Sequence, residues 1–286
     1  MNKNTFKTYV LLAGLAGLMV LIGSMFGRAG AMLGLGLGLV MVGGSYWFSD
    51  KLAIRAAGAV PVTEAEMPEY HRIVRELAMK SGMPMPRLYV TPDLQPNAFA
   101  TGRNPQHAAV AVTQGILQVC DWDELRGVLA HELSHVGNRD ILIGSVAAAI
   151  ATGISFIGNM LMWGAMWGGG GGDDDEGGVN PIALIALAIL APMAAALLQM
   201  ALSRSREYEA DRTGARLIGE GEPLARALLK LEAAAKQIPM AVQPAQAQKY
   251  IVNPLTGRRI QFANLFTTHP PTADRVARLR AGEWRP

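Results

Sequence analysis

The chain has 286 residues, of which 50% are hydrophobic, with a mean hydropathy of +0.21 and a formal net charge of +3. So high an apolar fraction is unusual for a soluble protein and typical of one that crosses a membrane. The net charge is small and no Lys/Arg run with interleaved aromatic residues is present, which excludes nucleic acid as a partner. The single cysteine, Cys120, excludes an intramolecular disulfide bond.

Two apolar runs occupy the N-terminal part of the chain, from about Thr8 to Phe26 and from about Gly30 to Phe48. Each is long enough to cross a bilayer as a helix. A cleavable signal peptide is the competing interpretation of the first run, because Lys3 and Lys7 precede it and Ala29–Ala31 resembles a cleavage site. The second run follows at once, which favours a retained hairpin of two helices.

From Asp50 onward the composition is that of a soluble domain. An apolar stripe at helical spacing predicts an amphipathic helix over Pro68–Lys80. Three short β-prone segments, Arg87–Thr91, Ala98–Thr101 and His107–Thr113, predict a small sheet. The stripe of the helix consists of Tyr70, Ile73, Val74, Leu77 and Ala78.

An H-E-x-x-H pentad, His131 to His135, follows on a helix that begins in the acidic segment 121–124. Positions i and i+4 share one face of a helix, so both histidines can bind one metal ion while Glu132 lies beside them. A tetrahedral zinc ion then needs a third protein ligand and keeps one position open for water. The pentad therefore predicts a site for a zinc-activated water.

A third apolar run, Ile141 to Trp163, follows the pentad closely, and a fourth extends from Pro181 to Leu202. The segment between them, Gly164–Gly178, combines polyglycine with acidic residues, which predicts a flexible solvated loop rather than a cation site. Positive charges flank the runs on the side of the termini and the pentad, which predicts that these parts face the cytoplasm. Arg28 is one residue against this orientation.

The pattern divides the chain into four segments. Residues 1–49 and 141–202 are expected to form two transmembrane hairpins. Residues 50–140 and 203–286 are expected to form one catalytic domain, mainly α with a small β-sheet (α+β). In the last segment, a helix is predicted from about Pro223 to Lys236, and a basic helix that follows segment Thr268–Thr272 is predicted through Arg280.

Glu207 is the candidate third ligand, because a hairpin of the third and fourth runs returns the chain to the side that it left. On a helix, Asp211 lies one turn from Glu207 on the same face. There its carboxylate can accept the second ring N–H of a ligand histidine and fix the tautomer. The alternative is that both acids pair with neighbouring arginines on a solvated helix.

Together with three other segments, the pentad resembles the HtpX membrane-bound zinc endopeptidases, relatives of the CAAX prenyl proteases. The resemblance spans nearly the whole chain, with the four hydrophobic runs in matching order. It implies a zincin-like catalytic domain with one Zn²⁺ ion per chain, joined to four transmembrane helices. It also implies stress-related quality control in the bacterial cytoplasmic membrane, with misfolded membrane proteins cleaved on the cytoplasmic side. The three segments are Asn97–Ala100, Glu207–Asp211 and Thr268–Pro271.

By this resemblance, His131, His135 and Glu207 bind zinc and Glu132 is the general base. His269 and Arg275 match family positions that line the site opposite the zinc, where His269 would stabilise the developing oxyanion. Capping of the following helix by segment 268–272 is the alternative. Asn97, Ala98, Phe99 and Ala100 match the family's edge strand, against which an extended substrate would pair; an ordinary sheet strand is the alternative there.

Two other functions stay open. A site-2-type intramembrane protease also carries an H-E-x-x-H motif, but there the motif lies within an apolar span. Here Asp121, Asp123, Glu124 and Arg126 precede the pentad, a setting too polar for the middle of a bilayer. The second alternative is a zinc-stabilised membrane scaffold or chaperone that holds unfolded proteins without cutting them.

Overall fold

The structure, a computed structural model, describes residues 27–141, 204–237 and 270–285, together with a few residues between 13 and 24. The chain divides into two compact units, Met1–Trp47 with Ser145–Gln199, and Phe48–Gly144 with Met200–Pro286. The pentad and the sheet belong to the second unit. All contacts described below lie within that unit.

The helices and strands agree closely with those predicted from the sequence wherever the sequence has a clear hydrophobic period. The helices are α1 (Gly27–Ala56), α2 (Pro68–Lys80), α3 (Gln114–Val119), α4 (Trp122–Gly137), α5 (204–218), α6 (Glu222–Gln237) and α7 (Thr272–Arg280). The strands are β1 (Val60–Pro61), β2 (Arg87–Thr91), β3 (Ala98–Thr101) and β4 (Ala109–Thr113). His107, expected to open the last strand, instead ends a short 3₁₀ helix, Pro105–His107, because the Asn104 side chain caps that turn.

No helix in the described ranges has both the length and the apolar character needed to cross a membrane. The second predicted run lies on α1. Most of the first run, nearly all of the third and the whole of the fourth fall outside the described residues, as does the Gly/Asp-rich loop. Four membrane spans therefore stay a prediction.

Helix α2 confirms the predicted amphipathic helix, with the bounds and the buried stripe expected from its 3.6-residue period. Pro68 opens the helix, where its missing N–H costs nothing, and Gly82 follows its end with φ +64°. The stripe packs into one core with apolar residues of α4, β4 and α6. Each such side chain contributes about 1.5–3 kcal/mol when fully buried.

The sheet is mixed, with the strand order β1-β2-β4-β3. Strand β4 is central and buried at every position, whereas β3 is an edge strand that pairs antiparallel with β4. The N–H of Thr113 donates to the carbonyl oxygen of Asn97. Since hydrogen-bonding directions alternate along a strand, Ala98 and Ala100 turn their main-chain groups away from β4, to the side of β3 where the described residues place no further strand.

Helix α4 lies between the sheet and α6. A capping box of Asp121 and Glu124 starts it, and the buried Glu124 carboxylate also accepts a hydrogen bond from Lys230 of α6 at 2.6 Å. Gly127 allows the two helices to meet closely, since a Cβ there would lie 2.5 Å from the backbone nitrogen of Leu224. The pentad is therefore carried by a helix held firmly on several sides.

Candidate active site

Three side chains meet at one point: His131 and His135 from α4, and Glu207 from α5. The Nε2 atoms of the two histidines are 3.2 Å apart. The Glu207 carboxylate oxygens lie 3.5 Å from Nε2 of His131 and 3.6 Å from Nε2 of His135. A tetrahedral zinc ion with bonds of about 2.0–2.1 Å separates its ligand atoms by about 3.4 Å, so the two nitrogens and the carboxylate are spaced to hold one such ion.

The opposite ring atoms of the histidines show which nitrogens carry hydrogen. Nδ1 of His131 lies 2.9 Å from Oδ1 of Asp211, and Nδ1 of His135 lies 3.0 Å from Oδ1 of Asp140. Because an ionised carboxylate only accepts hydrogen bonds, each neutral ring carries its hydrogen on Nδ1 and presents a lone pair at Nε2. Two lone pairs and a carboxylate then converge, which is repulsive by itself and favourable around a cation.

Arg275, on α7, supports this arrangement from behind, with a side chain only 1% exposed. Its Nε and Nη2 groups donate to the two oxygens of Asp211 at 2.8 and 2.7 Å. Its Nη1 lies 3.7 Å from Oε2 of Glu207. Burial alone would raise the pKa of Asp211, but the charge and hydrogen bonds of Arg275, with those of His131, lower the pKa to about 2. Asp211 is therefore ionised whenever the site is folded near neutral pH.

Glu132 lies beside the metal-ligand atoms and against the edge strand. Its Oε2 accepts a hydrogen bond from the Ala100 N–H of β3 at 2.8 Å, and the residue is only 6% exposed. Burial raises the pKa of Glu132 above its usual range and Glu207 adds to this, although the neighbouring histidines and the Ala100 N–H act against it. A raised pKa suits a carboxylate that exchanges protons near neutral pH.

The charges of the site also favour a divalent cation. Four carboxylates lie in or around the site: three of them interact with the guanidinium of Arg275, and two interact with that of Arg206 on α5. Burial alone would lower the pKa of His135, but nearby carboxylates outweigh it, Asp140 most of all, and raise the pKa to about 10. A divalent cation would add positive charge among these carboxylates and release protons that the metal-free site holds. The four carboxylates are those of Glu132, Asp140, Glu207 and Asp211.

A glycine sets the distance between the two helices that provide these ligands. A Cβ added at Gly214 of α5 would lie 2.9 Å from the backbone nitrogen of His131 and 3.0 Å from the carbonyl carbon of Ala130. Both atoms belong to the backbone of α4, which cannot move aside as a flexible side chain can. The absence of a side chain at Gly214 therefore allows Glu207, two turns earlier on α5, to reach the histidines.

The structure brings most of the predicted site residues together. Asn97 is 5% exposed and Ala98 fully buried, whereas Phe99 and Ala100 are half-buried on the edge strand. Arg275 was expected to line the site opposite the zinc, and it is found donating to Asp211 with its Nη1 near Glu207. His269 lies outside the described residues.

Sequence reasoning missed Asp140 and Gly214. Asp140 directly precedes the third apolar run. Its role depends on how the chain turns after α4, and the hydrophobic pattern of the sequence does not predict that turn. Gly214 follows Glu207 at position i+7, so both lie on one helix face. That spacing was a usable signal, since a glycine on a ligand-bearing face indicates close helix packing.

Comparison with known proteins agrees with this geometry. The profile of peptidase family M48 matches residues 64–283. The chain is 52% identical over 279 residues to a protease HtpX homolog of Pelotomaculum thermopropionicum, covering 97% of this chain and 99% of that one. It is 51% identical over 279 residues to a protease HtpX homolog of Syntrophobacter fumaroxidans, covering 96% and 98%.

A solved structure shares the fold. The crystal structure of S. mikatae Ste24p matches with a TM-score of 0.54 at 18% sequence identity, covering 96% of this chain and 63% of that one. The architecture is thus mainly helical with a small mixed sheet, as in Ste24p. From the family profile and the full-length relatives together, the chain belongs to peptidase family M48, among its HtpX-like metallopeptidases.

Proposed function

We propose that the protein is a membrane-bound zinc endopeptidase that cleaves misfolded or damaged membrane proteins on the cytoplasmic side of a bacterial inner membrane. The observation that carries the catalytic part is the convergence of two histidine Nε2 atoms and a carboxylate, with separations of 3.2, 3.5 and 3.6 Å, beside a buried Glu132. The membrane part is supported by the apolar runs of the sequence and by the HtpX and Ste24p relatives.

His131, His135 and Glu207 would hold one zinc ion. When bound, the ion supplies Lewis acidity toward a water molecule and the scissile carbonyl, lowering the pKa of the water to about 7. Glu132 accepts the proton of the attacking water, and its raised pKa allows it to deliver that proton to the leaving amine. His269 is proposed to donate a hydrogen bond to the oxyanion.

Arg275 is proposed to act through other residues. Its guanidinium is committed to Asp211 and lies near Glu207, so we assign it to positioning these two carboxylates. Asp211 in turn holds the ring of His131 by its Nδ1–H. Ligand histidines in metal sites are commonly oriented in this way, by a carboxylate that accepts the second ring N–H.

An extended segment of substrate would pair with β3 on its side away from β4. The main-chain groups of Ala98 and the carbonyl oxygen of Ala100 are directed there, whereas the Ala100 N–H donates to Glu132. Main-chain pairing gives affinity with little demand on sequence, as cleavage of varied unfolded proteins requires. The scissile bond would then lie close to Glu132, because the substrate segment and the Glu132 carboxylate would both lie beside Ala100.

The test compares wild type with Glu132→Gln, purified in detergent, for zinc content and for cleavage of casein as an unfolded substrate. We expect equal zinc in both proteins and cleavage by wild type alone, since Gln keeps the shape but cannot accept the proton. Glu209→Gln, at an exposed carboxylate on α5, is the matched control and should cleave normally.

Retained cleavage by Glu132→Gln would refute the proposed base. Equal zinc with no cleavage by wild type would point instead to a zinc-stabilised scaffold that holds clients. A wild-type protein that binds no divalent metal would overturn the proposal altogether.

A further inference from the structure

The two histidines of the pentad are supported from different parts of the chain. His131 is held by Asp211, which lies 80 residues later and one helical turn after Glu207. His135 is held by Asp140, only five residues later. Asp140 is 3% exposed, so its carboxylate is buried in direct contact with the imidazole.

The turn after α4 explains how Asp140 reaches His135. The N–H of Arg139 donates to the carbonyl oxygen of Val136 at 3.2 Å, and the N–H of Asp140 donates to that of His135 at 3.1 Å. These two bonds define a Schellman motif, in which the second residue after the cap folds back onto the third residue from the helix end. In this helix those two positions are Asp140 and His135.

Asp140 is therefore bound to His135 twice. Its N–H bonds to the backbone of His135, and its carboxylate oxygens lie 3.0 and 3.1 Å from Nδ1 of the ring. An apolar contact commonly joins these two positions of the motif. Here a carboxylate and an imidazole occupy them, so the helix cap orients a metal-ligand side chain.

The backbone conformation of Arg139 also indicates that this turn serves the site. It has φ +57°, and in the part of the chain that the structure describes it is the only non-glycine residue with positive φ. The left-handed region costs such a residue about 1–2 kcal/mol. Strain of this kind persists where the surrounding structure holds it in place, and it clusters at functional sites. Here it permits the turn that carries Asp140 to His135.

We propose that Asp140 is a positioning residue for His135, delivered by the C-terminal cap of α4, and that it strengthens metal binding. The inference rests on the proposed function, because it takes His135 as a metal ligand. The carboxylate fixes the tautomer with Nε2 free and restricts rotation of the ring. Loss of such a partner lowers metal affinity by about 10–100-fold in metal sites of this kind.

The experiment measures zinc affinity by competition with a chromophoric chelator, on the full chain in detergent. We expect Asp140→Ala to bind zinc about 10–100-fold more weakly than wild type, and Asp140→Asn to show a smaller loss because its oxygen still accepts the ring N–H. Asp123→Asn, on the exposed side of the same helix, is the control and should match wild type.

A second readout separates positioning from folding. Absorption spectra of the cobalt-loaded proteins should differ between Asp140→Asn and wild type, because the coordination geometry changes, while circular dichroism stays the same. If Asp140→Ala does not fold, Asp140→Asn alone decides the matter. Wild-type affinity and an unchanged cobalt spectrum in a folded variant would overturn the inference while leaving the proposed function intact. Absence of zinc binding by wild type would instead overturn the proposed function.

Discussion

Helices α2 and α4 end in the same main-chain motif but use it differently. After α2, Gly82 takes the left-handed position and Met83 folds back onto Ala78, an apolar pairing. After α4, Arg139 takes that position and Asp140 folds back onto His135. The first cap stabilises packing alone, whereas the second places a carboxylate on a candidate metal ligand. The same local geometry thus serves structure at one helix and the site at the other.

The contrast extends to the two histidines. His135 takes its support from its own helix end, so that support depends on local chain geometry. His131 takes its support from Asp211 and, through it, from Arg275 on α7, so that support depends on the packing of three helices. Substitutions should therefore distinguish the two kinds of support. Changes in helix packing should disturb the position of His131, and changes in the α4 cap should disturb that of His135.

The largest effect is expected from Arg275→Ala. It removes the partner of two buried carboxylates, Asp211 and Glu207, and breaking a buried ion pair from one side costs about 3–5 kcal/mol of unfolding free energy. Arg280→Ala on the same helix is the matched control, because its pair with Glu222 is exposed and such pairs contribute little to stability.

Urea unfolding of both variants in detergent measures this difference. A loss for Arg275→Ala no larger than that for Arg280→Ala would show that Asp211 does not need a buried partner. The support of His131 would then be as local as that of His135.

A smaller effect is expected at the glycines of the helix contacts. Gly214→Ala and Gly127→Ala each force a Cβ against backbone, His131 in the first case and Leu224 in the second. Overpacking of this kind costs about 1–3 kcal/mol of unfolding free energy, so both variants should be destabilised. Only Gly214→Ala should also weaken zinc binding, because it moves α5, and with it Glu207, away from the histidines.

Zinc competition and urea unfolding on the same two preparations test this. Equal zinc affinity in both variants would mean that the distance between α4 and α5 does not control the ligand geometry. Weaker binding in Gly127→Ala would place the sensitive contact at α6 instead.

Much of this fold could be predicted because its signals are periodic. The stripe of α2 repeats at helical spacing, and the pentad sets both histidines on one face of α4. The Asp211 contact with a histidine ring was also predictable, since it follows from the i+4 spacing once a hairpin returns Glu207 to the pentad. The four membrane spans are not confirmed, because no helix in the described ranges has the required length and apolar character and most of the other three runs lies outside those ranges.

The parts that could not be predicted depend on single backbone angles or on distant contacts. Sequence rules place glycine in the left-handed cap position, as at Gly82. Because Arg139 occupies that position after α4, the sequence does not predict the turn that brings Asp140 to His135. The pairing of Arg275 with Asp211 joins residues 64 positions apart, and no local pattern reports it. Only the resemblance to a family drew attention to Arg275.

The smallest expected effect compares the two left-handed residues directly. Gly82→Ala introduces a Cβ at φ +64° and should lower the unfolding free energy by about 1 kcal/mol. Arg139→Gly relieves the corresponding cost at φ +57°, partly offset by the freedom of glycine in the unfolded chain, so we expect a gain of up to about 1 kcal/mol. Its zinc affinity should equal that of wild type, because the motif still carries Asp140 to His135. The same chelator competition measures this affinity. Weaker zinc binding in Arg139→Gly would show that the arginine side chain itself supports the site. The caps of α2 and α4 would then differ in the left-handed residue as well as in the residue that follows it.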